Sequence, residues 1–568
     1  MVITETHTKV LIVGAGPSGL MLAAQLLRYG FQPIIIDSRQ GPTSHSKALA
    51  VQARSLEIYR QMGVIDKVIE NGKQAGGVIF NEDQQEIAAL SLASVGEGQT
   101  PFPYILLYQQ SKNERLLLDF LTFNCCPVYW ETNLVSLTQT AGQVTVQLQK
   151  GTHLSTLNCN WLVGADGAHS TVRKQLQIPF KGETYGHNFY LADIELANAE
   201  LNDDQVHLYL AKKGFAAFFP MPEANRYRAL GNLPDELSNK DDLKVEDILP
   251  GLEKTSGLSI KIVQTYWFTN YRLHHRMADS FRQQRCFLVG DAAHIHSPVG
   301  GQGMNTGLQD AYNLAWKLAG VANGQLSEKI LDSYAAERMP VAKDLLSTTD
   351  KVFSIIMSDR WYTALFKKWV MPALLKFIWS KKTWREEFFK RVSQININYR
   401  DSAINLHISS ATKIKAGDRL PYLKVFDEKK QAETDLHEWC SKPGFTLIVL
   451  GKLSELDLFS LAKWITQNYP VVLNFFYLPK SAKNQHVFDA FEVGKDQGKS
   501  LIVRPDMYIG FVNDKVDMVL MDNYLKNVAG IISPVAPFVV NDPPPVDPEM
   551  AFTKVYGPPA PGNSTDNQ

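Results

Sequence analysis

A glycine-rich turn near the N-terminus constrains the fold of this chain more than any other feature. The apolar segment Lys9–Val13 runs into Gly14-Ala15-Gly16-Pro17-Ser18-Gly19, and a helical apolar pattern continues to about residue 29. In such a turn the first glycine permits a tight bend, the second lets the backbone approach a pyrophosphate, and the third lets helix and strand pack closely. A second apolar run, Pro33–Ile36, ends at Asp37. In dinucleotide-binding folds an acidic side chain at this place binds the ribose hydroxyls. The pattern predicts a βαβ unit that binds an adenine dinucleotide, and it does not separate FAD from NAD.

Length and composition indicate a large protein that handles a small molecule. One compact domain holds about 100–200 residues, so the 568 residues predict about three units. Lys plus Arg and Asp plus Glu both total 58, which leaves no basic footprint for nucleic acid. Five cysteines without a CxxC fit a reducing cytosol, and glycines and polar residues interrupt the apolar run Val10–Leu27. We therefore expect a cytoplasmic protein with no integral membrane segment and no metal site.

Residue patterns divide the chain into segments. Short alternating runs such as Val206–Leu210 and Phe215–Phe219 predict a β-rich insertion, and the last residues are rich in proline. The predicted boundaries are 1–180 and 281–350 for the two parts of a nucleotide-binding domain, 181–280 for the insertion, 351–405 for a helical segment, 406–530 for a separate α/β unit and 531–568 for an extended tail.

Two later segments carry glycines and acidic residues where strands end. The sequence GADGAHSTVR, residues 164–173, follows the strand candidate Trp161–Val163. Cys286–Val289 runs into Gly290-Asp291 and then into a glycine-rich turn that opens a long helix. A carboxylate placed there lies at the carboxyl edge of a sheet, where doubly wound folds bind ligands. The N–H groups at the start of the helix can stabilise a negatively charged ring edge.

Together these three segments resemble the FAD-dependent aromatic hydroxylases, the single-component (group A) flavoprotein monooxygenases. In that family GxGxxG, GADGxxSxVR and GDAAH…P…GQGMN occur in this order, and the resemblance continues through GLQDAYNLAWKL, residues 307–318. AGDRLP at 416–421 and LIVRPDMYI at 501–509 are similar to signatures of a thioredoxin-like domain in the phenol- and polyketide-hydroxylase branch. The resemblance spans roughly residues 8–530.

The resemblance implies an α/β fold of three parts. A Rossmann-like FAD-binding domain of the GR2 type holds an inserted β-sheet substrate domain, and a thioredoxin-like domain follows. Because the chain has no CxxC, that last domain is expected to serve packing or oligomerisation, as in a homodimer.

The resemblance also assigns residues to the cofactors. Gly14, Gly16 and Gly19 would contact the FAD pyrophosphate, and Asp37, where most relatives have Glu, the adenosine ribose. The other cofactor residues would be Arg54, Gln110, Asp166, Asp291, Gly303, Met304 and Asn305, with Pro298 near the flavin ring and Asp166 and Arg173 toward NAD(P)H. Taken singly, Asp166 and Asp291 can be helix caps, and Arg54 an exposed helical charge.

The implied reaction is carried mostly by the cofactor. NADPH or NADH reduces non-covalently bound FAD, O2 adds to give a C4a-hydroperoxide, and one oxygen atom goes to an aromatic or polycyclic substrate. Epoxidation, Baeyer–Villiger insertion and antibiotic inactivation are alternatives within the same fold. A non-catalytic FAD-binding scaffold is an alternative of another class, although a scaffold needs no flavin-ring loop.

The sequence leaves the acid or base of this reaction open. Phenol-hydroxylase relatives carry an Asp where this chain has Leu49, which either argues against simple phenol as the substrate or places the deprotonation on another residue. The candidate bases, each of which also fits a structural or solvated role, are His45, Lys47, His294, His296 and Tyr271. Phe215, Phe218, Phe219 and Pro220 of the insertion are candidates for contact with an aromatic ligand, or for the core of a strand.

Residues 360–391 form a basic, aromatic stretch. They contain nine Lys or Arg against two Glu, and four of the ten Trp. One hypothesis is a surface that contacts an anionic membrane or a carrier-bound acidic substrate. The alternative is a helical pair that packs its apolar residues inward and leaves its lysines in solvent.

Overall fold

The structure of the protein is a computed structural model that places most of the chain. It describes residues 3–44, 46–82, 85–92, 95–197, 201–211, 214–237, 240, 242–297, 299–358, 366, 370–428 and 430–532.

The strands of these residues form three larger sheets and two small ones. In chain order they are β1 (His7–Val13), β2 (Ile34–Ile36), β3 (Ala50–Val51), β4 (Lys73–Gln74), β5 (Gly77–Glu82), β6 (Gln85–Ser91), β7 (Leu106–Leu107), β8 (Val128–Tyr129), β9 (Asn133–Gln139), β10 (Val144–Lys150), β11 (His153–Gly164), β12 (Phe180–Leu196), β13 (Gln205–Leu210), β14 (Phe215–Pro220), β15 (Arg226–Asn232), β16 (Ile262–Ala278), β17 (Arg282–Gln283), β18 (Cys286–Leu288), β19 (His294–Ile295), β20 (Leu406–His407), β21 (Lys424–Asp427), β22 (Ala432–Asp435), β23 (Phe445–Gly451), β24 (Leu473–Leu478), β25 (Gly498–Val503) and β26 (Ile509–Asn513).

The α-helices within the described residues connect and cover these sheets. In chain order they are α1 (Pro17–Arg28), α2 (Ala53–Gln61), α3 (Ile65–Glu70), α4 (Gln110–Phe123), α5 (Thr171–Gln175), α6 (Val245–Ser256), α7 (Gly303–Ala322), α8 (Asp332–Met357), α9 (Met371–Ser380), α10 (Lys382–Val392), α11 (Leu436–Trp439), α12 (Glu455–Asn468), α13 (Gln485–Ala490) and α14 (Met518–Asn523).

The N-terminal sheet is built on parallel strands in the order β17-β18-β11-β1-β2-β8, with the β9–β10 hairpin attached to β11. Strand β1 pairs in parallel with β2 and β11, and β11 pairs in parallel with β18. The central residues of β1 are fully buried, as is typical of parallel strands covered on both faces. The carboxyl ends of these strands, at Val13, Ile36, Gly164 and Leu288, therefore lie along one edge. The predicted α/β fold class is confirmed.

The second sheet has the order β19-β16-β12-β15-β14-β13-β5-β6 and is dominated by the 17-residue strands β12 and β16. Its core strands come from the predicted β-rich insertion, but β5 and β6 come from residues 77–91. Strand β5 pairs in parallel with β13, with Gly77 opposite Gln205. The sheet therefore includes strands from outside residues 181–280. The sequence did not predict this pairing, because an alternating pattern shows that a segment is a strand but not which sheet it joins.

The C-terminal sheet has the order β20-β26-β25-β23-β24. Strands β23 and β24 are parallel and connected through α12, whereas β25 and β26 are antiparallel. Every residue of β23 is buried. The thioredoxin-like character of this unit and the domain boundaries stay predictions.

The helical hairpin α9–α10 lies between the second sheet and the C-terminal unit in the chain. Its Trp379 packs against residues of the second sheet and donates a hydrogen bond to the Ser91 carbonyl at 3.0 Å. Within the described ranges, we find no helix with the length and apolar content that crossing a bilayer requires.

Candidate cofactor site and substrate cleft

The glycine turn between β1 and α1 is packed on two sides and open on the third. A Cβ atom at Gly14, where φ is +108°, would collide with the carbonyl oxygen of Ala165. A Cβ at Gly19 would collide with the carbonyl oxygen of Gly14. At Gly16, in contrast, no atom lies within 4 Å of the position a Cβ would take. The turn therefore offers an open face at the N-terminus of α1, where backbone N–H groups bind anions.

Asp37 lies at the end of β2, next to this turn. Its carboxylate accepts a hydrogen bond from the N–H of Ala15 at 2.7 Å and forms an ion pair with Arg39 at 3.1 Å. Arg39 also pairs with Glu114 at 3.2 Å, and Glu114 accepts from the Gln110 amide at 3.1 Å. The structure thus joins Asp37 and Gln110 in one polar cluster. Sequence reasoning missed Arg39, although its place two residues after the acid that ends β2 is a usable signal.

The segment 164–173 folds as a capped turn. Asp166 accepts from the Ser170 hydroxyl at 2.5 Å and from the Val172 N–H at 3.0 Å, and burial raises the pKa of its carboxyl. Arg173 donates to the Ala292 carbonyl at 2.8 Å and stacks 3.7 Å from the ring centre of Phe180. Asp166 therefore makes the contacts of a helix cap, and Arg173 ties this segment to residues 290–294. Their contact with NAD(P)H stays a prediction.

The turn that follows β18 meets the start of α1. A Cβ at Gly290 or at Gly307 would collide with the hydroxyl oxygen of Ser18, so these three backbones approach one another closely. The neighbouring Asp291 has an exposed side chain, yet burial by the surrounding protein raises the pKa of its carboxyl. A side chain that water reaches but that has protein atoms on most sides lines a crevice and does not project from a convex surface. Lys47 lies near enough to oppose this pKa shift.

Asp310 of α7 holds the same turn in place. Its carboxylate accepts from the Gly290 N–H at 3.1 Å, bonds the His294 ring at 2.7 Å and pairs with Arg338 at 2.7 Å. Burial alone would raise the pKa of Asp310, but Arg338 and His294 lower it to about 2. Sequence reasoning noted Asp310 only as part of the motif GLQDAYNLAWKL, and it assigned the residue no role.

Asn305, in the first turn of α7, fixes the predicted flavin-ring loop. Its amide accepts from the Gln52 N–H at 2.9 Å and donates to the Ala50 and Gly301 carbonyls at 2.9 and 2.8 Å. Because Asn305 is fully buried, its side chain acts on the loop from behind. The adjacent Gly303 and Met304 are partly buried. Pro298 lies outside the described residues.

Arg54 is placed differently from the other predicted cofactor residues. It is 1% exposed, so it is not a solvated helical charge. Its guanidinium pairs with Glu57 at 3.0 Å and donates to the Asp506 carbonyl at 2.8 Å. The rings of Tyr312 and Tyr508 lie 5.6 and 5.4 Å from it. These contacts belong to the junction with the C-terminal unit, and a contact between Arg54 and the cofactor stays a prediction.

The candidate bases differ in their surroundings. Burial raises the pKa of Tyr271, so its phenol stays protonated at neutral pH. Burial and the nearby His294 lower the pKa of His296 to about 4, so its ring is neutral. Lys47 is exposed, whereas His294 bonds Asp310. His45 lies outside the described residues.

The neutral His296 ring leaves one acceptor without a partner. Its Nδ1 is 2.7 Å from the Ser297 carbonyl, to which a neutral ring donates, and its buried Nε2 has no hydrogen-bond partner within the described part of the chain. A Cβ at Gly303 would lie 3.2 Å from that Nε2. An orphaned acceptor beside the flavin-ring loop fits a ligand that donates a hydrogen bond there.

An apolar cluster lies next to this loop. Leu49, which precedes β3, is buried with Ala75, Leu92 and Leu107, and the partly buried Phe219 and Trp379 pack against them. Among the predicted aromatic contacts, Phe219 is in this cluster. The other three lie elsewhere: Phe218 is fully buried beneath α6, Phe215 lies in a neighbouring cluster, and Pro220 is buried at the end of β14. The cluster therefore places apolar side chains beside this loop.

The residues present fit FAD. Asp37 after β2, the open face at Gly16 after β1 and the crevice wall at Asp291 after β18 lie in this order along one sheet edge, so the turn that would hold the pyrophosphate has a polar group on each side. Because Gly14 touches Ala165, and Ser18 touches both Gly290 and Gly307, the three motif segments form one site.

Comparison with known proteins agrees with this geometry. A family model described as FAD binding domain matches residues 7–349. The chain is 31% identical over 521 residues to the pentachlorophenol 4-monooxygenase of Sphingobium chlorophenolicum, covering 88% of this chain and 93% of that protein. It is 32% identical over 400 residues to the 6-methylpretetramide 4-monooxygenase of Streptomyces rimosus, covering 70% of this chain and 71% of that protein.

Solved structures show the same fold. An anhydrotetracycline hydroxylase from Streptomyces rimosus superposes with a TM-score of 0.72 and 26% identity over 92% of this chain and 99% of that one. A ternary complex of aklavinone-11 hydroxylase with FAD and aklavinone superposes with a TM-score of 0.76 at 21% identity, over 93% of this chain and 100% of that one. The chain belongs to the FAD-dependent aromatic hydroxylase family.

Proposed function

We propose that this protein is an FAD- and NAD(P)H-dependent monooxygenase that transfers one oxygen atom of O2 to an aromatic or polycyclic small molecule. The observation that carries the proposal is the meeting of the three motif segments at the carboxyl edge of the parallel sheet, with an open face at Gly16. When bound, FAD supplies the redox chemistry and the activation of O2.

The chain's own residues bind and orient. The N–H groups at the start of α1 would bind the pyrophosphate, and Asp37 would bind the adenosine ribose. Asp310 and Asn305 fix, through the hydrogen bonds at Gly290 and Gln52, the two turns that would hold the flavin ring. The apolar cluster around Leu49 excludes water from the ring of the substrate.

The proposed substrate is polycyclic or carries an acidic hydroxyl, not simple phenol. A phenol reacts through its phenolate, which a nearby base helps to form. Leu49 supplies no carboxylate, and burial raises the pKa of the partly exposed Tyr271, so neither acts as that base. A substrate that ionises unaided, or whose ring is already electron-rich, needs no such group.

Further parts of the proposal rest on the family. NADPH or NADH is the reductant, used without a second nucleotide-binding fold. The C-terminal unit is thioredoxin-like, and its Cys440, buried and without a CxxC partner, serves packing instead of dithiol exchange. The site of action is the cytoplasm.

The test is to purify the protein, record its flavin spectrum and screen aromatic compounds for faster NAD(P)H oxidation. Mass spectrometry of the accelerating compound should show one added oxygen atom. The matched control is Gly16→Val, whose side chain fills open space, so the protein should fold but carry no flavin. A flavin-loaded protein for which no compound speeds flavin reduction, and which yields no oxygenated product, would support the scaffold alternative.

A further inference from the structure

The hairpin α9–α10 turns apolar side chains toward solvent. Val370, Leu374 and Phe377 follow one another at helical spacing and are 50, 45 and 55% exposed. On α10, Trp384 and Phe388 are 56 and 42% exposed and lie four residues apart. Scattered single apolar residues on a surface are ordinary, but four on two consecutive helices with a fifth directly before the first helix are not. We call these five residues the hairpin face.

The opposite side of the hairpin is anchored to the protein. Trp379 donates to the Ser91 carbonyl at 3.0 Å, and Phe389 is 3% exposed against Gly96. The ring centres of Trp379 and Phe388 lie 5.3 Å apart, so the anchored and exposed residues are in contact. The inward packing expected in the alternative to the membrane hypothesis is therefore present for Trp379 and Phe389, but not for the hairpin face.

Basic side chains surround this face. Residues 371–392 contain six Lys or Arg and two Glu, in a chain whose formal net charge is zero. Lys376, Lys381 and Lys382 are exposed, and Lys382 is 83% exposed even though it approaches Glu386 at 3.8 Å. Arg360, Trp361, Lys367, Lys368 and Trp369 of the basic stretch lie outside the described residues.

The charge decides which partner fits the face. A second copy of the chain, docked symmetrically, would bring the same lysines against one another, and like charges destabilise such a contact. An anionic lipid surface attracts each lysine and accepts the apolar side chains at the boundary of headgroups and acyl chains. We propose that the hairpin face seats this protein on the surface of an anionic bilayer without crossing it.

If the proposed function holds, binding of the hairpin face to a membrane would bring the enzyme close to an apolar substrate. Trp379 packs against the apolar cluster around Leu49 and Phe219, so the inner side of the hairpin contacts the proposed substrate site, and its outer side would meet lipid. An apolar aromatic compound partitions into a bilayer, and a seated enzyme takes it from there. Binding to lipid does not itself depend on the enzyme's activity.

Helix α12 offers a matched control surface. Its Leu456 and Phe459 are 75 and 68% exposed, at helical spacing like the hairpin face. However, the helix carries Glu455 and Asp457 in its first turn, with Lys463 as its only basic residue. An exposed apolar patch alone would make α12 bind lipid as well, whereas the proposal predicts that only the basic hairpin does so.

The test is flotation of the full-length flavoprotein with vesicles of phosphatidylcholine, alone or mixed with phosphatidylglycerol. We expect binding to the mixed vesicles only, and its loss in Phe377→Ser/Trp384→Ser. Lys381→Gln/Lys382→Gln should weaken binding about 30-fold, since each lysine near an anionic surface contributes about fivefold. Leu456→Ser/Phe459→Ser should bind as wild type. Unchanged flavin content and circular dichroism show that each variant is folded.

Several results would overturn the proposal. Absence of flotation with phosphatidylglycerol, equal binding to neutral vesicles, or equal loss in the α12 variant would each contradict it. Sedimentation velocity would reveal a dimer that Phe377→Ser/Trp384→Ser dissociates, and this would assign the face to a second copy instead. Because flotation uses no substrate, its outcome is separate from that of the oxygenation assay.

Discussion

Glu337 on α8 and Arg504, which follows β25, form a bidentate ion pair with N···O distances of 2.6 and 2.9 Å and no exposed side-chain surface. Lys317 of α7 donates to the same carboxylate at 2.7 Å, and Asp506 pairs with Arg504 at 2.6 Å. Burial alone would raise the pKa of Glu337, but Arg504 and Lys317 hold it far below its usual range. The cofactor domain and the C-terminal unit are therefore joined through buried charge.

Replacing Glu337 by Gln should destabilise the protein by about 3–5 kcal/mol, since it leaves buried cations without their counter-charge. Urea unfolding followed by tryptophan fluorescence measures the change, and limited proteolysis should release the C-terminal unit. Glu433→Gln, which removes the exposed partner of Lys424, is the control and should cost under about 1 kcal/mol. A cost for Glu337→Gln as small as the control's would show that apolar packing alone holds the junction.

His296 should give the protein an acid-sensitive stability. The pKa of His296 is about 4 in the folded protein and 6.5 in the unfolded chain, so the unfolded chain is protonated first as the pH falls. Stability from this group is thus complete above pH 6.5 and falls as the pH drops toward 4, by up to about 3 kcal/mol. Urea midpoints of the flavin-free protein at pH 7, 5.5 and 4.5 should show this fall in wild type and a smaller one in His296→Gln. The exposed His153→Gln is the control, and equal slopes in all three proteins would contradict the prediction.

Two glycines of the same turn should respond differently to alanine. In Gly19→Ala the new Cβ meets the carbonyl of Gly14, so the variant should lose about 1–3 kcal/mol of stability. In Gly16→Ala the new Cβ meets open space, so stability should hold while FAD affinity falls about tenfold or more. Thermal unfolding of the flavin-free proteins and flavin fluorescence titrations separate the two effects. Equal loss of stability in both variants would mean that Gly16 is only a structural glycine.

Asp291 should contribute to retention of the flavin. A charged hydrogen bond to a ligand contributes about 1.5–3 kcal/mol, so Asp291→Asn should weaken FAD binding about 10- to 100-fold, and Asp291→Ala should empty the site. The absorbance of the purified proteins at flavin and protein wavelengths gives the occupancy. Asp279→Asn, on an exposed side chain, is the control. A full flavin complement in Asp291→Ala would remove the residue from the cofactor site.

How far the sequence predicts this site depends on whether a residue acts locally. The glycine turn, Asp37 and Gly290-Asp291 follow strands whose apolar runs are legible, so their position at a sheet edge can be predicted. Arg54 cannot be placed this way, because its partners at Asp506 and Tyr508 are more than 450 residues away in the chain.

Local sequence patterns also do not predict which distant segments pair with each other. The strands β5 and β6 have ordinary alternation, and only their pairing with β13 assigns them to the second sheet. Asp310 lies in a helix whose residues are mostly buried, where polar side chains must find partners inside the protein. Those partners, His294 and Arg338, lie on separate elements, and only the fold brings them together.

The parallel pairing of β11 with β18 has a consequence for how the protein is made. Gly164 pairs with Leu288, so every strand of the second sheet except β19 is synthesised before the first sheet gains its last central partner. Such long loops slow folding, because chain entropy is lost before the contact is gained. The crevice wall at Asp291 is then among the late parts to form during translation. A flavin that binds there selects chains that have completed both sheets, so cofactor uptake reports on the quality of folding.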